Sequence, residues 1–296
     1  MSGFENISII IPTINEQTLE MVVQAAREQM PGAEIVIVGD HSASEVATYY
    51  QTRFLDMGKR TPKAAAINRG VRMARQDWLI ILDADAIPQL GWGKSMLRGF
   101  IEGKQLFSGS VDVSHGPFWT KVYNLSYFHE VTPERQPQPM RSLPGLNVGF
   151  TRLAFERIGQ WNESDIRSQD YDWTLRAQRV GISPFLLPEA RVIHDAGSRR
   201  SFKDVWNSWA RNAFYNWRVR IRYKELLGTP MILRFPLLIL ICSPILAIWP
   251  TLRIMHTSSK SFFKYLYLIP AVYLTKIAWC WGVFQVALEE KKHPRT

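Results

Sequence analysis

Trp78-Leu-Ile-Ile-Leu-Asp83-Ala84-Asp85-Ala-Ile-Pro88 sets an apolar run against two carboxylates one residue apart. A continuous apolar run of this length predicts a strand buried on both faces, as in parallel α/β sheets. Ligands of such sheets gather at the carboxyl ends of the strands, where Asp83 and Asp85 stand. Two carboxylates offer hard oxygen ligands to Mg²⁺ or Mn²⁺, and the cation in turn clamps a diphosphate. Asp-x-Asp is also how a polar turn closes a strand, so its surroundings decide the reading.

Upstream, Ile7-Ser-Ile-Ile-Ile-Pro12-Thr13-Ile14-Asn15-Glu16 is an apolar strand that breaks at a proline and leads into a helical stretch, residues 17–30. A second strand, Glu34-Ile-Val-Ile-Val38, ends at Gly39-Asp40-His41-Ser42. Lys63-Ala-Ala-Ala-Ile-Asn68-Arg69-Gly70 then opens a helix leading to the Asp83 strand. Strands alternating with helices predict βαβ units in a parallel sheet, with three polar strand ends lining one crevice.

These pieces, in this order, resemble the family 2 glycosyltransferases of the GT-A fold. A fifth follows at Gln169-Asp170-Tyr171-Asp172-Trp173-Thr-Leu175-Arg176, close to the family's Glu-Asp-x-Asp-Leu-x-x-Arg element. The resemblance covers about residues 5–200. It implies an α/β domain of GT-A type, a Rossmann-like, mostly parallel sheet flanked by helices. It also implies inverting transfer of a sugar from a nucleotide-diphosphate donor, UDP by default, to an acceptor hydroxyl.

By the same resemblance, Pro12, Thr13, Glu16, Asp40, Lys63, Asn68, Asp83 and Asp85 line the donor site. Asp85 ligates the metal on the diphosphate, and His194, after the apolar stretch Ala190-Arg-Val-Ile, is its partner or else a hydrogen-bonded structural histidine. Asp40 takes the nucleotide base, and Lys63 neutralises phosphate charge unless it is a solvated surface residue. Asp170 is the base that takes the acceptor proton, although an Asp ahead of the helical run Trp173–Val180 is also a helix cap. Asp172 pairs with Arg176 four residues on. Gly145 and Asn147, in Leu143-Pro-Gly-Leu-Asn-Val-Gly149, together with Gln169 face the acceptor.

The chain departs from the family pattern at Gln169, usually Glu, and at Gly39 and His41 in the usual Asp-Asp-Gly-Ser. The continuation Ala86-Ile-Pro88-Gln-Leu differs from the Asp-x-Gln-Asp-Pro-Pro-Glu of polyprenyl-phosphate glycosyltransferases. Ser208-Trp-Ala-Arg211-Asn does not match the Gln-x-x-Arg-Trp of processive synthases, which implies one sugar per encounter. Four prolines within residues 132–144 exclude a continuous helix there, leaving an acceptor-side lid or a surface loop.

Composition changes near residue 198, which divides the chain into a catalytic part (1–198), a basic aromatic helix (199–230) and an apolar tail (231–296). Eight basic residues from Arg199 to Lys224 interleave with Trp and Tyr, and Phe202, Val205, Trp206, Trp209, Ala213, Trp217 and Ile221 recur at helical spacing. Such a helix suits an anionic membrane surface or a nucleic acid. The tail decides for the membrane: residues 235–252 carry no charge between Arg234 and Arg253, and 265–288 are apolar apart from Lys276. The formal charge of +10 is therefore read as a membrane flank, with no nucleic-acid partner.

Two spans are expected, with Arg253, Lys260 and Lys264 in the loop between them. The heavier basic flank then places the catalytic part on the cytoplasmic face of the inner membrane. Pro236, Pro244 and Pro250 leave a shallow re-entrant hairpin open as the alternative. The polar opening residues do not read as a signal peptide. Cys242 and Cys280 read as buried small residues rather than a disulfide. A lipid-linked or membrane-associated glycan is the expected acceptor.

Overall fold

The computed structural model describes residues 3–58, 61–195, 197, 199–228, 231, 235–257 and 262–292. Arg234 and Lys260, used above as flanking charges, lie outside the described residues. The first half of the chain runs β1 (Ile7–Pro12), α1 (Leu19–Gln29), β2 (Glu34–Gly39), α2 (Ser44–Tyr49), β3 (Arg53–Asp56), α3 (Lys63–Met73), β4 (Trp78–Leu82), β5 (Ala86–Pro88), α4 (Trp92–Ile101) and β6 (Leu106–Asp112). It continues through α5 (Phe118–Phe128), β7 (Gln138–Pro139), β8 (Asn147–Thr151), α6 (Arg152–Ile158), α7 (Gln169–Arg179) and β9 (Phe185–His194). The last third is helical: α8 (Phe202–Arg222), α9 (Lys224–Leu227), α10 (Pro236–Ile241), α11 (Ser243–Thr257), α12 (Phe262–Tyr265) and α13 (Ile269–Lys292).

The chain packs as two compact units. One, residues 1–112 and 131–195, holds the sheet; the other, residues 113–130 and 196–296, holds the C-terminal helices. Residues 113–130, assigned to the catalytic part on composition, thus pack with the helices. The aromatic stretch after His115 forms α5.

In the sheet unit the strand order is β3-β2-β1-β4-β8-β6-β9-β5, with β7 paired to β9. The βαβ half, β3-β2-β1-β4, is parallel throughout. Beyond it the sheet becomes mixed, because β8 runs antiparallel to both β4 and β6. The apolar strands β1 and β4 are central, so their side chains are buried on both faces: Ile9, Ile10, Ile11, Ile80 and Ile81 are fully enclosed. On one face Ile10, Ile81, Val148 and Phe150 join Trp161 and Trp173 in a single core. The two indoles stack at 5.0 Å, and Phe150 meets Trp173 edge-on at 5.3 Å. That aromatic stack sets the height of α7, and with it Asp170, above the carboxyl ends of the strands.

The proline-rich stretch is pinned rather than loose. Gln138 and Pro139 pair antiparallel with Leu186 and Phe185, and the Met140 N–H donates to the Pro184 carbonyl at 2.8 Å.

The helical unit is built around α13. Its Gly282 lies against the Ala210 carbonyl of α8, so closely that any Cβ would collide with that carbonyl. The α8 residues Val205, Trp209 and Ala213, part of the stripe read as lipid-facing, are buried within this unit. An apolar helical stripe shows that a helix is covered, and here a neighbouring helix does the covering. The segment 235–252 is not one helix. It divides at Cys242 into α10, six residues, and α11, which carries Pro250 inside it. Among the described residues one helix, Leu266–Lys292, is long and apolar enough to cross a membrane, and half of its apolar window is buried in the protein.

Candidate active site

A cleft of about 180 Å³ opens at the carboxyl ends of β1 and β4. It is lined by Pro12, Thr13 and Glu16 from the loop after β1, by Lys63 at the start of α3, and by Asp83 and Asp85 from the turn after β4. Six of the eight expected donor-site residues therefore converge, and Ile14, Thr61, Ala66 and Ala84 complete the wall.

The turn that presents the carboxylates is held from outside. Thr18 Oγ1 donates to the Ala84 carbonyl at 2.7 Å, the Asp83 N–H to the Leu146 carbonyl at 2.9 Å, and the Asp195 N–H to the Asp85 carbonyl at 2.8 Å. Pairing of β5 with β9 sets Ala86 opposite His194. In consequence His194 Nε2 and Asp85 Oδ2 lie 3.4 Å apart, and the imidazole is buried. The loop after β1 carries Asn15 at φ 48° and the residue before α7, Ser168, stands at φ 60°. Both are left-handed conformations that side-chain-bearing residues adopt sparingly, and both border the residues under discussion.

Lys63 ties the cleft together. Its Nζ donates to Asp83 Oδ2 at 2.6 Å and to the Gly145 carbonyl at 3.0 Å, with the side chain 35% exposed. Burial works against the ammonium's charge, but Asp83 outweighs it, with Asp170 and Asp85 adding smaller pulls, so Lys63 stands above the usual lysine range. Lys63 is thus part of the site and not a solvated surface lysine. Asp83 is pushed up by burial and by its neighbour Asp85, against the pull of Lys63. Its Oδ1 and the Thr13 hydroxyl are buried without a hydrogen-bond partner among the described residues. A buried oxygen left in this state costs free energy unless a ligand satisfies it.

Gly145 links this cluster to Asp170. Its N–H donates to Asp170 Oδ2 at 3.0 Å, while the Tyr171 N–H donates to Oδ1 at 2.8 Å. The helix α7 begins at Gln169, four residues earlier than the apolar pattern indicates. Asp170 consequently sits in the first turn, where the helix dipole favours a carboxylate. Asp172 is buried and accepts from Arg176 Nε at 3.0 Å, as the i,i+4 spacing predicts. Gln169 donates to the Asp165 and Ile166 carbonyls, which ties it to its own turn.

Three expected contacts are absent from the cleft. Asn68 is buried away from the cavity: its Nδ2 donates to the Trp161 carbonyl and to Glu163, and its Oδ1 accepts the Trp161 N–H, each at 2.9 Å. Asn147 is fully buried, accepting from Trp92 Nε1 and donating to the Ala190 carbonyl, so it clamps β8 rather than facing an acceptor. Asp40 caps the turn His41–Ala43, its Oδ1 accepting the Ser42 N–H at 3.2 Å and the Ser42 hydroxyl.

At position 39, a Cβ would stand 2.5 Å from Thr13 Cγ2 and 2.7 Å from the Thr13 carbonyl. Glycine is what lets the ends of β1 and β2 approach. Thr18 and Thr61 were not expected in the site, and no local pattern marks them.

Asn68→Ala should lower stability by about 2–4 kcal/mol in urea denaturation, since it strands the Trp161 N–H and carbonyl inside the protein. Nucleotide affinity should hardly change in the folded fraction. A loss of affinity without a loss of stability would return Asn68 to the donor site.

Two carboxylates, an imidazole and an ammonium around a strand-end cleft are the residue types a cation-bridged anion such as a diphosphate would need. Among the described residues no three His, Cys, Asp or Glu side chains converge as a closed cation cage. Asp85 is instead an open carboxylate of the kind Mg²⁺ and Mn²⁺ accept when phosphate oxygens and waters complete the shell, with His194 beside it at 3.4 Å.

Comparison with known proteins agrees. Residues 8–159 match the glycosyl transferase family 2 profile. Poly-beta-1,6-N-acetyl-D-glucosamine synthase from Staphylococcus aureus (strain COL) is 24% identical over 82% of this chain and 62% of its own length. The Staphylococcus epidermidis enzyme of the same name is 20% identical over 62% of this chain and 51% of its own. The chain spans between half and two thirds of the length of these curated relatives. Among solved structures, the mannosyltransferase PcManGT from Pyrobaculum calidifontis, held with GDP-Man and Mn²⁺, superposes with a TM-score of 0.61 at 17% identity, covering 98% of this chain and 88% of that one. GalNAc-T7 with UDP, GalNAc and Mn²⁺ gives a TM-score of 0.53 at 15% identity, over 70% and 50% of the two chains. The sheet unit is thus a GT-A fold, and the chain belongs to glycosyl transferase family 2.

Proposed function

We propose that this protein is a metal-dependent inverting glycosyltransferase. It passes one sugar from a nucleotide-diphosphate donor to a hydroxyl of a membrane-associated, lipid-linked glycan. The observation that carries the reading is the continuous link Asp83–Lys63–Gly145–Asp170, which joins a diphosphate-type site to a fixed carboxylate.

In this reading Asp85 and His194 would hold Mg²⁺ or Mn²⁺. When bound, the cation supplies charge for the departing diphosphate, so no general acid is required. Lys63 supplies a second fixed positive charge at the same end. The loop from Pro12 to Glu16 covers the donor, and the Thr13 hydroxyl and Asp83 Oδ1 find their partners there. Asp170, oriented by two backbone N–H groups, takes the proton of the attacking hydroxyl as the sugar transfers.

The curated relatives are named for making a polysaccharide, but the chain lacks the Gln-x-x-Arg-Trp element of processive synthases, which supports single transfer. The exposed apolar surface of the helical unit supports membrane association and hence an acceptor presented at a lipid surface.

Calorimetry with UDP, GDP, CDP and dTDP, each with Mn²⁺ and with EDTA, tests the donor site. One nucleotide should bind with Mn²⁺ and lose most of its affinity in EDTA. Equal binding in both conditions, or no binding by folded protein, removes the metal-dependent reading.

A further inference from the structure

The helical unit determines how this chain meets a membrane. The helix α13 has 24 residues, about 36 Å of helix and enough to cross a bilayer. It does not stand alone, however. Lys276 Nζ lies 3.8 Å from the Trp209 ring centre, Trp279 meets Trp209 at 5.8 Å, Gly282 abuts Ala210, and Arg218 Nη1 lies 3.8 Å from Glu289 Oε1. The helix α8 therefore runs beside α13 from Lys276 to Glu289, past its midpoint. The outward side of α8 exposes Lys203, Asn207, Arg211 and Arg222. If the middle of α13 lay at the bilayer centre, Arg211, next to Ala210, would lie in hydrocarbon beside it, facing away from the protein. Charged side chains at that depth are costly and face a protein interior or a water-filled cavity.

The apolar surface lies elsewhere. On α10 and α11, Leu237, Ile241, Ile245, Ile248, Trp249 and Leu252 are all exposed, Trp249 to 75%. Leu237 and Ile241 stand four apart on α10, and Ile245, Ile248, Trp249 and Leu252 recur at three and four residues along one side of α11. No charge interrupts residues 235–252. The surface is continuous with an apolar groove of about 500 Å³ between α11 and α13, lined by Ile248, Leu252, Met255, Ile269 and Leu274 among others. Exposed Arg253, ion-paired with Glu130, directly follows the uncharged stretch, and exposed Lys264 stands between α11 and α13. Six- and fifteen-residue helices are each too short to span hydrocarbon, but they suit a position in the plane of the interface.

We propose that the helical unit is a one-leaflet membrane platform. The exposed face of α10 and α11 enters the acyl region of a single leaflet, α8 stays at headgroup level with its cations facing lipid phosphates, and neither apolar segment crosses. The occupant of the apolar surface is the hydrocarbon of a bilayer, and anionic headgroups meet the basic rim. This inference rests on the membrane association proposed above and replaces the two-span expectation. Nucleotide binding by detergent-solubilised protein is independent of it, so the two can fail separately.

The test uses the full chain in sealed membranes. Wild type, with Cys242 half-buried and Cys280 buried, sets the background for labelling by a membrane-impermeant maleimide. Glu45→Cys on the sheet unit and Lys264→Cys between α11 and α13 should be labelled in the same vesicle orientation. Labelling in opposite orientations overturns the proposal, because two spans put residue 264 across the membrane from the sheet unit.

A second readout does not depend on labelling at 264. Environment-sensitive probes at Leu237→Cys, Ile245→Cys and Leu252→Cys are quenched with spin labels placed high and low on lipid chains. All three should report one shallow depth, roughly 5–10 Å into the headgroup–acyl boundary. A gradient with Ile245 near the bilayer centre, or an aqueous signal at all three, overturns it.

Discussion

Asp85→Ala should abolish sugar transfer and remove the difference between Mn²⁺ and EDTA in nucleotide binding, with a loss of affinity of roughly a hundredfold or more. Asp85 is the carboxylate that β5–β9 pairing places beside His194, at 3.4 Å. Removing it leaves one imidazole, too little to hold a hard divalent cation against water. The fold should survive, because the Asp85 carbonyl keeps its hydrogen bond from the Asp195 N–H and the lost side chain belongs to no apolar core. Asp83→Ala offers a contrast. It should also weaken nucleotide binding, but through Lys63, whose ammonium would lose the partner that holds it in place. Unchanged metal dependence in Asp85→Ala, measured by calorimetry on protein with a native thermal transition, would move the cation site elsewhere.

Asp170→Asn should lower turnover by about 10²–10⁴-fold, the range for loss of a general base, while the donor's Kd stays within about threefold. Both carboxylate oxygens accept backbone N–H groups, from Gly145 and Tyr171. An amide can satisfy only one of them with its oxygen, so a modest fall in thermal stability is expected as well. Steady-state transfer assays, calorimetry of the nucleotide and a melting curve on the same preparation separate the three effects. A parallel loss of binding and turnover would make Asp170 a structural cap of α7 and not the base.

Much of this site was legible in the chain. The run from Trp78 to Leu82 reads as a buried strand, and the motifs at Pro12, Lys63 and Asp83 fall at the ends of elements whose apolar pattern is unbroken. Other features depended on partners far away in sequence. The three-residue strand β5 is too short to show a period, yet its register against β9 is what brings His194 to Asp85. Asn68 and Asn147 carry polar groups suited to a ligand, and their partners, Trp161 and Trp92, are 93 and 55 residues distant. Residues 113–130 carry no one-sided helical stripe, since α5 is buried on most sides and Thr120, Asn124 and Ser126 are among its buried residues. The stripe on α8 was visible, but periodicity reports only that a face is covered. Whether lipid or protein covers it is decided by the rest of the chain.

Gly39 bears on any attempt to redesign the donor preference of this enzyme. The family pattern that this chain resembles has an aspartate there, and copying the patterned residue is an ordinary engineering step. In this chain a side chain at 39 would press on the backbone of Thr13, so the change would deform the pocket wall before it offered the nucleotide a new contact. The route to altered selectivity lies through side chains that already face the opening, Thr61 and Ala66 among them, and position 39 is better treated as a hinge pin than as a recognition residue.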